Sequence, residues 1–364
     1  MTTPTQPLAR HDINAHAEKF HHVYIPNSTG DKVLDTYLFD LSNRFCGQQK
    51  SRHVLALLAA VMNAAQCGNL SKHEYKSLSV VLKELVEADG LFHDYDHVRK
   101  VTCFGSARTP RSHPNYCEAK ELGRLASDAG YMMITGGGPG IMQAANEGAG
   151  SDHSFGLNIS LPFEQHPNEY VQNCGRLMNF YYFFTRKLNL IKQSDALVAC
   201  PGGFGTMDEI YEAMTLMQTG KAAIFPIILL DSPSEDYWNK WMEFNRDTIL
   251  ADGLVSPDDM RLLYHCQNAK MAMDYISHFY SVFHSYYFDG DAVVIRLNES
   301  LSEAQVQGLQ QEYKGNETIG AIAYEEKGSG RQQPELAHLP RLRVKFKHGN
   351  YARLRIFIDS INDC

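Results

Sequence analysis

The chain has 364 residues, of which 44% are hydrophobic, enough for a sizeable core spread over roughly two domains, three at most. A formal net charge of −8 argues against nucleic acid as the main partner, and no apolar run approaches the ~18 residues of a membrane span. The polar start, Met1 to His16, lacks the apolar core of a signal peptide, and the eight scattered cysteines include no C-x-x-C pair, so a reduced, cytoplasmic protein without metal is expected.

Residues 1–30 read as a loose arm. Leu55, Leu58, Val61, Met62 and Ala65 follow helical spacing, broken at Gly68-Asn69. Ser71 opens a second helix, with Glu74 completing a capping box; Leu78, Val81, Leu82 and Leu85 give its apolar stripe, and Gly90 is expected to end it. Residues 1–97 are thus a helical section, a packing cap or an oligomer contact.

From Val101 strands and helices alternate. Strands are expected at Val101–Phe104, Tyr131–Thr135, Phe155–Leu161, Ala196–Ala199 and Phe225–Leu230, with helices at Pro114–Ala129, Ile141–Ala149 and Tyr181–Gln193 between them. This repetition predicts an α/β, Rossmann-like, doubly wound parallel sheet over 98–284. Residues 236–284 read as helical, anchored by Trp238, Trp241 and Phe244. Residues 285–364 read as a small α+β domain: a strand at Ala292–Leu297, a helix at Ser302–Tyr313, and strands near Ile319–Tyr324, Arg341–Lys347 and Tyr351–Ile358, the last two joined as a hairpin by His348-Gly349-Asn350. Glu326–Pro340 reads as an exposed loop.

The stretch with the strongest chemical signal is Ala196–Thr219. A buried strand leads into Pro201-Gly202-Gly203-Phe204-Gly205-Thr206 and then a helix whose apolar face holds Ile210, Ala213, Met214 and Met217. Strand, glycine loop and helix N-terminus together make an anion site, since backbone N–H groups converge where the helix end is positive. Thr206 adds a hydroxyl. Glu209 lies one turn further on, within a sugar's reach of a bound phosphate, and the helix end is expected to keep it ionised. The loops after Phe104 (with Ser106) and after Thr135 (with Gly137 and Gly138) also lie at carboxyl ends of strands and should share this crevice. Gly136–Gly140 is not a dinucleotide fingerprint, because it follows the second strand and no acid ends that strand; it reads as a close backbone approach to a nucleotide or to a partner helix. Arg186-Lys187 would ordinarily be a solvated pair, but Phe180 to Phe184 precede it, placing the guanidinium against aromatic surface with Glu209 across one ribose.

PGGFGTMDE at 201–209, GGGPGIM at 136–142 and Thr185-Arg186-Lys187 between them resemble the LOG family of nucleoside 5′-monophosphate phosphoribohydrolases, often labelled lysine decarboxylases. The similarity covers roughly 100–230, and the C-terminal section resembles that of the long bacterial nucleotide 5′-monophosphate nucleosidases. The resemblance implies catalytic roles for Arg186 and Glu209. It implies substrate contacts from Lys187, from Gly202, Gly203, Phe204, Gly205, Thr206, Met207 and Asp208, and from Thr215, which could otherwise simply bond its own helix backbone. An acid after the third strand is also implied; Glu164 is the choice, with Glu169 close by. Met178 and Asn179 are candidate base contacts, Met178 being equally an ordinary packing residue. The implied reaction is hydrolysis of the N-glycosidic bond to free base and ribose 5-phosphate, with no cofactor and a homodimer as the minimal unit. A nucleotide sensor using the same pocket is the alternative. Decarboxylation would need a pyridoxal phosphate lysine, and no lysine stands in a convincing site. Finally, Arg341, Arg343, Lys345 and Lys347, with Arg353 and Arg355 on the neighbouring segment, read either as a solvated face or as a site for an anionic effector or an acidic partner surface.

Overall fold

The computed structural model describes residues 28–68, 70–161, 166–328 and 333–364. By internal contacts the chain divides into residues 16–84 and 85–364. In the first unit, α1 (Lys32–Cys67) is capped by Asp31, whose carboxylate accepts from Val33 and Leu34 amides at 2.9 and 3.1 Å. It stops at Gly68, where φ is 62°. Ser71 and Glu74 form the expected capping box at the start of α2 (Lys72–His93). Gly90 does not end this helix but sits inside it, the ~1 kcal/mol cost of an interior glycine being too small to stop a packed helix. Most of the anticipated N-terminal arm lies outside the described residues.

In the second unit the main sheet holds β1 (Lys100–Phe104), β2 (Met132–Thr135), β3 (Ser154–Ile159), β4 (Leu177–Phe180), β5 (Ala196–Ala199), β6 (Ile227–Leu230) and β7 (Leu263–Cys266). Their order is β4-β3-β2-β1-β5-β6-β7 and every pairing is parallel, as the doubly wound reading requires. The helices are α3 (Pro114–Asp128), α4 (Ile141–Ala149), α5 (Phe183–Lys192), α6 (Phe204–Gln218), α7 (Tyr237–Phe244) and α8 (Ala269–Phe279). The chain steps outward from β1 to β4, then returns to lay β5 beside β1, with Phe104 opposite Ala199. That reversal opens a crevice at the carboxyl ends of β1 and β5.

Two strands of the main sheet stand where sequence periodicity placed none. β4 falls in a stretch to which no element was assigned, and β7 lies within the stretch read as helical. Both are four-residue edge strands with only partial burial, so neither shows a continuous apolar run. Of the three aromatic anchors, Trp238 is fully buried, its indole N–H donating to the Leu230 carbonyl at 3.2 Å, whereas Phe244 is exposed.

A second, antiparallel sheet orders β10 (Ile319–Glu325), β11 (Arg341–Phe346), β9 (Ala292–Leu297) and β8 (Phe283–Asp289), with α9 (Glu303–Glu312) and α10 (Tyr351–Asn362). The strand expected at Tyr351–Ile358 is the first part of α10. Leu354, Phe357, Ile358 and Ile361 are all buried at helical spacing, and the Asn350 side chain caps the Arg353 amide at 2.9 Å, so His348 to Asn350 start a helix rather than turn a hairpin. One continuous core runs from one face of the main sheet (Val101, Cys103, Val198, Ile228) into this sheet and α10. The opposite face of the main sheet packs against α5, α6 and Trp238. Among the described residues no helix is long and apolar enough to cross a membrane.

Candidate active site

The crevice is built by three glycine-bearing loops meeting. The Ser106 amide donates to the Pro201 carbonyl at 3.1 Å, and the Ser106 carbonyl accepts from the Ile141 amide at 3.1 Å, tying the loops after β1, β2 and β5 together. Two of the contacts admit only glycine. Gly140 has φ 67°, and a side chain there would collide with the Ser106 carbonyl; at Gly202 a Cβ would strike the Thr206 hydroxyl. The Gly137 amide donates to Thr135 Oγ1 at 2.9 Å. Periodicity did not mark the residue that braces this loop: buried Asn168, whose Nδ2 lies 3.1 and 3.0 Å from the Gly137 and Gly138 carbonyls and 3.1 Å from Asn146 Oδ1. Its amide, able to donate and accept at once, was its only signal in the sequence.

Gly203 supplies no side-chain cap to α6. The Thr206 and Met207 amides turn back to the Gly203 carbonyl at 3.1 and 3.2 Å, and the amides of Phe204 and Gly205 are among those a helix leaves unpaired. Positive helix-end charge and outward N–H groups therefore sit together, as the motif requires. Thr206 is buried beneath them, while Gly203, Phe204 and Gly205 are exposed, and the Phe204 ring is 97% exposed. Tyr237 fixes the loop from the other side, its hydroxyl donating to the Gly202 carbonyl at 2.6 Å.

Glu209, 3% exposed, projects from the first turns of α6, and Arg186 from α5; Arg186 Nη2 stands 3.9 Å from Glu209 Oε1, too far for a hydrogen bond. Arg186 also lies 5.4 Å from the Phe183 ring centroid and near Gly136. Among the described residues, Glu209 Oε2 and Arg186 Nε are buried without a hydrogen-bond partner. Such atoms carry a desolvation penalty of about 1–3 kcal/mol each, which a ligand in the crevice would relieve. Contrary to expectation, the helix end does not hold Glu209 in the ordinary carboxylate range and leaves it only partly ionised near pH 7. Burial pushes its pKa up to about 7, against the pull of Lys187 and Arg186 and with Asp208 and Glu212 adding to the rise. Burial likewise lowers the Arg186 pKa, partly offset by Glu209 and Asp208.

The remaining expected residues divide. Lys187 is bound between Asp208 Oδ2 at 2.5 Å and Glu212 Oε2 at 2.7 Å. Asp208 is otherwise exposed, and Met207 packs at the edge of the core. The Thr215 hydroxyl donates to the Tyr211 carbonyl at 2.7 Å, and Thr215 lines a cavity of about 180 Å³ with Tyr211, Met214, Asn245, Ile249 and Met260, which no glycine-loop residue lines. Met178 is core packing, and Asn179 accepts from Asn158 Nδ2 at 3.0 Å. Glu169 pairs with Arg111 at 2.7 Å on the surface; Glu164 lies outside the described residues.

The expected row of facing cations at the C-terminus does not exist. Arg353 and Arg355 lie on α10, and the arginines are individually engaged: Arg343 with Asp289 at 2.8 Å, Arg353 with Asp258 at 2.7 Å, Arg355 with Asp359, and Arg341 with the Leu336 and Leu339 carbonyls at 3.1 Å. The alternating cations and apolar residues of 351–358 mimic a strand, but the buried set has helical period.

Residues 141–276 match the family model described as "Possible lysine decarboxylase". The chain is 28% identical over 176 residues to cytokinin riboside 5′-monophosphate phosphoribohydrolase LOG7 of Arabidopsis thaliana, covering 47% of this chain and 78% of that protein. It is 29% identical over 174 residues to the LOG1 enzyme of the same name and plant, covering 47% and 78%. Among solved structures, the molybdenum cofactor binding protein of Rippkaea orientalis aligns with a TM-score of 0.35 at 21% identity, over 50% of this chain and 94% of that one. Glycine loops, an arginine and a glutamate set around one crevice, together with the family-model match and these relatives, support a LOG-type protein.

Proposed function

We propose that the protein hydrolyses the N-glycosidic bond of a nucleoside 5′-monophosphate, either AMP-like or a cytokinin ribotide, releasing the free base and ribose 5-phosphate. The observation that carries this reading is the unbonded pair Arg186–Glu209 one helical turn from the uncapped N-terminus of α6. The glycine loop and Thr206 hold the 5′-phosphate, and that binding energy positions the sugar. As the C1′–N bond breaks, its electron pair leaves with the base and positive charge grows on the ribose ring. Ionised Glu209 stabilises that charge and orients water toward C1′; Arg186 holds the phosphate or the departing base. The phosphoribohydrolase activity for which the plant relatives are named supports the same chemistry.

We also propose that a second copy of the chain covers the exposed aromatic residues Tyr181, Phe183 and Phe184 at the start of α5 and Phe204 at the start of α6, since so much exposed aromatic surface is unusual for a monomer. Light scattering should report a dimer or a larger even assembly; a monomer would remove this part of the reading. For the chemistry, a panel of nucleoside monophosphates, nucleosides and bases is screened for ribose 5-phosphate release. Glu209→Gln and Arg186→Ala should each lower kcat by about 10²–10³-fold with the fold intact. Near-normal turnover in either variant would defeat the assignment, and nucleotide binding without turnover in the wild type would favour the sensor.

A further inference from the structure

We propose that Lys187 is a positioning residue rather than a substrate ligand: bracketed by Asp208 and Glu212, it locks α5 to α6 so that Arg186 and Glu209 face one another across the crevice. The inference rests on the function proposed above. Lys187 is only 12% exposed, and its ammonium lies 2.5 Å from one carboxylate and 2.7 Å from the other. An ammonium so enclosed has little left to offer a phosphate, whereas the neighbouring Arg186 has, among the described residues, no carboxylate within hydrogen-bond distance of its nitrogens. Burial works against the Lys187 charge, but the two carboxylate bonds outweigh it and hold its pKa above the ordinary lysine value. The pair of bonds is also a geometric clamp. Asp208 and Glu212 are one helical turn apart on α6 and flank Glu209, so a single cation reaching both fixes that turn against α5.

The clamp has an electrostatic consequence. Three acids, Asp208, Glu209 and Glu212, fall within five residues of α6. The charged groups acting on Glu209 are Lys187 and Arg186 from α5 and Asp208 and Glu212 from its own helix. Lys187 counters the two flanking carboxylates, and without it their uncompensated repulsion would drive Glu209 toward its neutral form.

Hydrolysis of AMP is followed from pH 5 to 9 in the wild type, Lys187→Met, Lys187→Arg, and Lys187→Met combined with Asp208→Asn and Glu212→Gln. Lys187→Met should move the acid limb of kcat/KM upward by about one pH unit and lower kcat at pH 7 by about tenfold. KM for AMP should stay within about threefold, because no substrate contact is lost. Lys187→Arg, which can also span two carboxylates, should restore the limb, and neutralising the two acids should return it to near the wild-type position. A KM raised tenfold or more with an unmoved limb would make Lys187 a ligand and overturn the inference, as would a Lys187→Met enzyme with wild-type kcat and limb. If the wild type releases no base, the proposed function fails, and the clamp is judged by carboxyl ¹³C NMR titration of Glu209. A higher midpoint in Lys187→Met supports the clamp; an unchanged one overturns it.

Discussion

Two of the arginine–carboxylate pairs among the described residues, Arg355–Asp359 and Arg186–Glu209, differ in how completely they are satisfied. On α10, Arg355 is fully buried, bonds Asp359 within its own helix, donates to the Tyr275 hydroxyl at 2.6 Å, and stacks 4.6 Å from the Phe279 ring centroid. In the crevice, Arg186 and Glu209 come from different helices, stand 3.9 Å apart, and share no hydrogen bond. Both arginines leave Nε unbonded, but only the crevice pair also leaves a carboxylate oxygen buried and unpartnered. A closed pair holds two segments together. An open pair stays charged only at a cost, and a ligand completing its bonds returns that cost as binding or transition-state energy.

The sharpest way to break this comparison is to remove one partner of the closed pair. Arg355→Met should cost about 3 kcal/mol or more of stability in urea unfolding, since it strands the largely buried Asp359, yet leave kcat for AMP unchanged. A fall in turnover at unchanged stability would show that α10 serves the site. The open pair should behave oppositely. Glu209 titrates near 7 in the folded protein against 4.5 for a free glutamate, so the proton it retains favours the fold below pH 4.5 and that favour is lost as pH rises through 7. Glu209→Gln removes this penalty and should raise stability at pH 8 by up to about 3 kcal/mol, with no gain at pH 4. A destabilised variant at pH 8 would mean that the carboxylate is a structural partner. The smallest effect is expected at the cap of α10. Asn350→Ala should cost about 1 kcal/mol in thermal unfolding and spare turnover; no loss would show that packing alone starts this helix.

Local signals gave a faithful picture of the crevice wherever chemistry and backbone are set by neighbours in the chain. The run Ala196–Thr206 forms strand, loop and helix where its apolar run and glycines place them. The capping box at Ser71–Glu74 forms as read. Long-range effects were not legible. β4 and β7 are edge strands too short to print a period, and 351–358 carries cations at alternate positions that imitate a strand until burial selects Leu354, Phe357, Ile358 and Ile361. Asn168 supports a loop about thirty residues upstream, which no spacing rule connects.

By itself the sequence determined the βαβ repetition, the strand–glycine loop–helix junction and the choice of Arg186 and Glu209 as candidates for one site, because periodicity, glycine freedom and helix ends are properties of contiguous residues. Tertiary structure alone decided the charge state of Glu209, the enclosure of Lys187 by two carboxylates, and the seating of Thr215 in another cavity. Ionisation and hydrogen-bond capacity depend on which segments exclude water from a group, and those segments lie far apart along the chain.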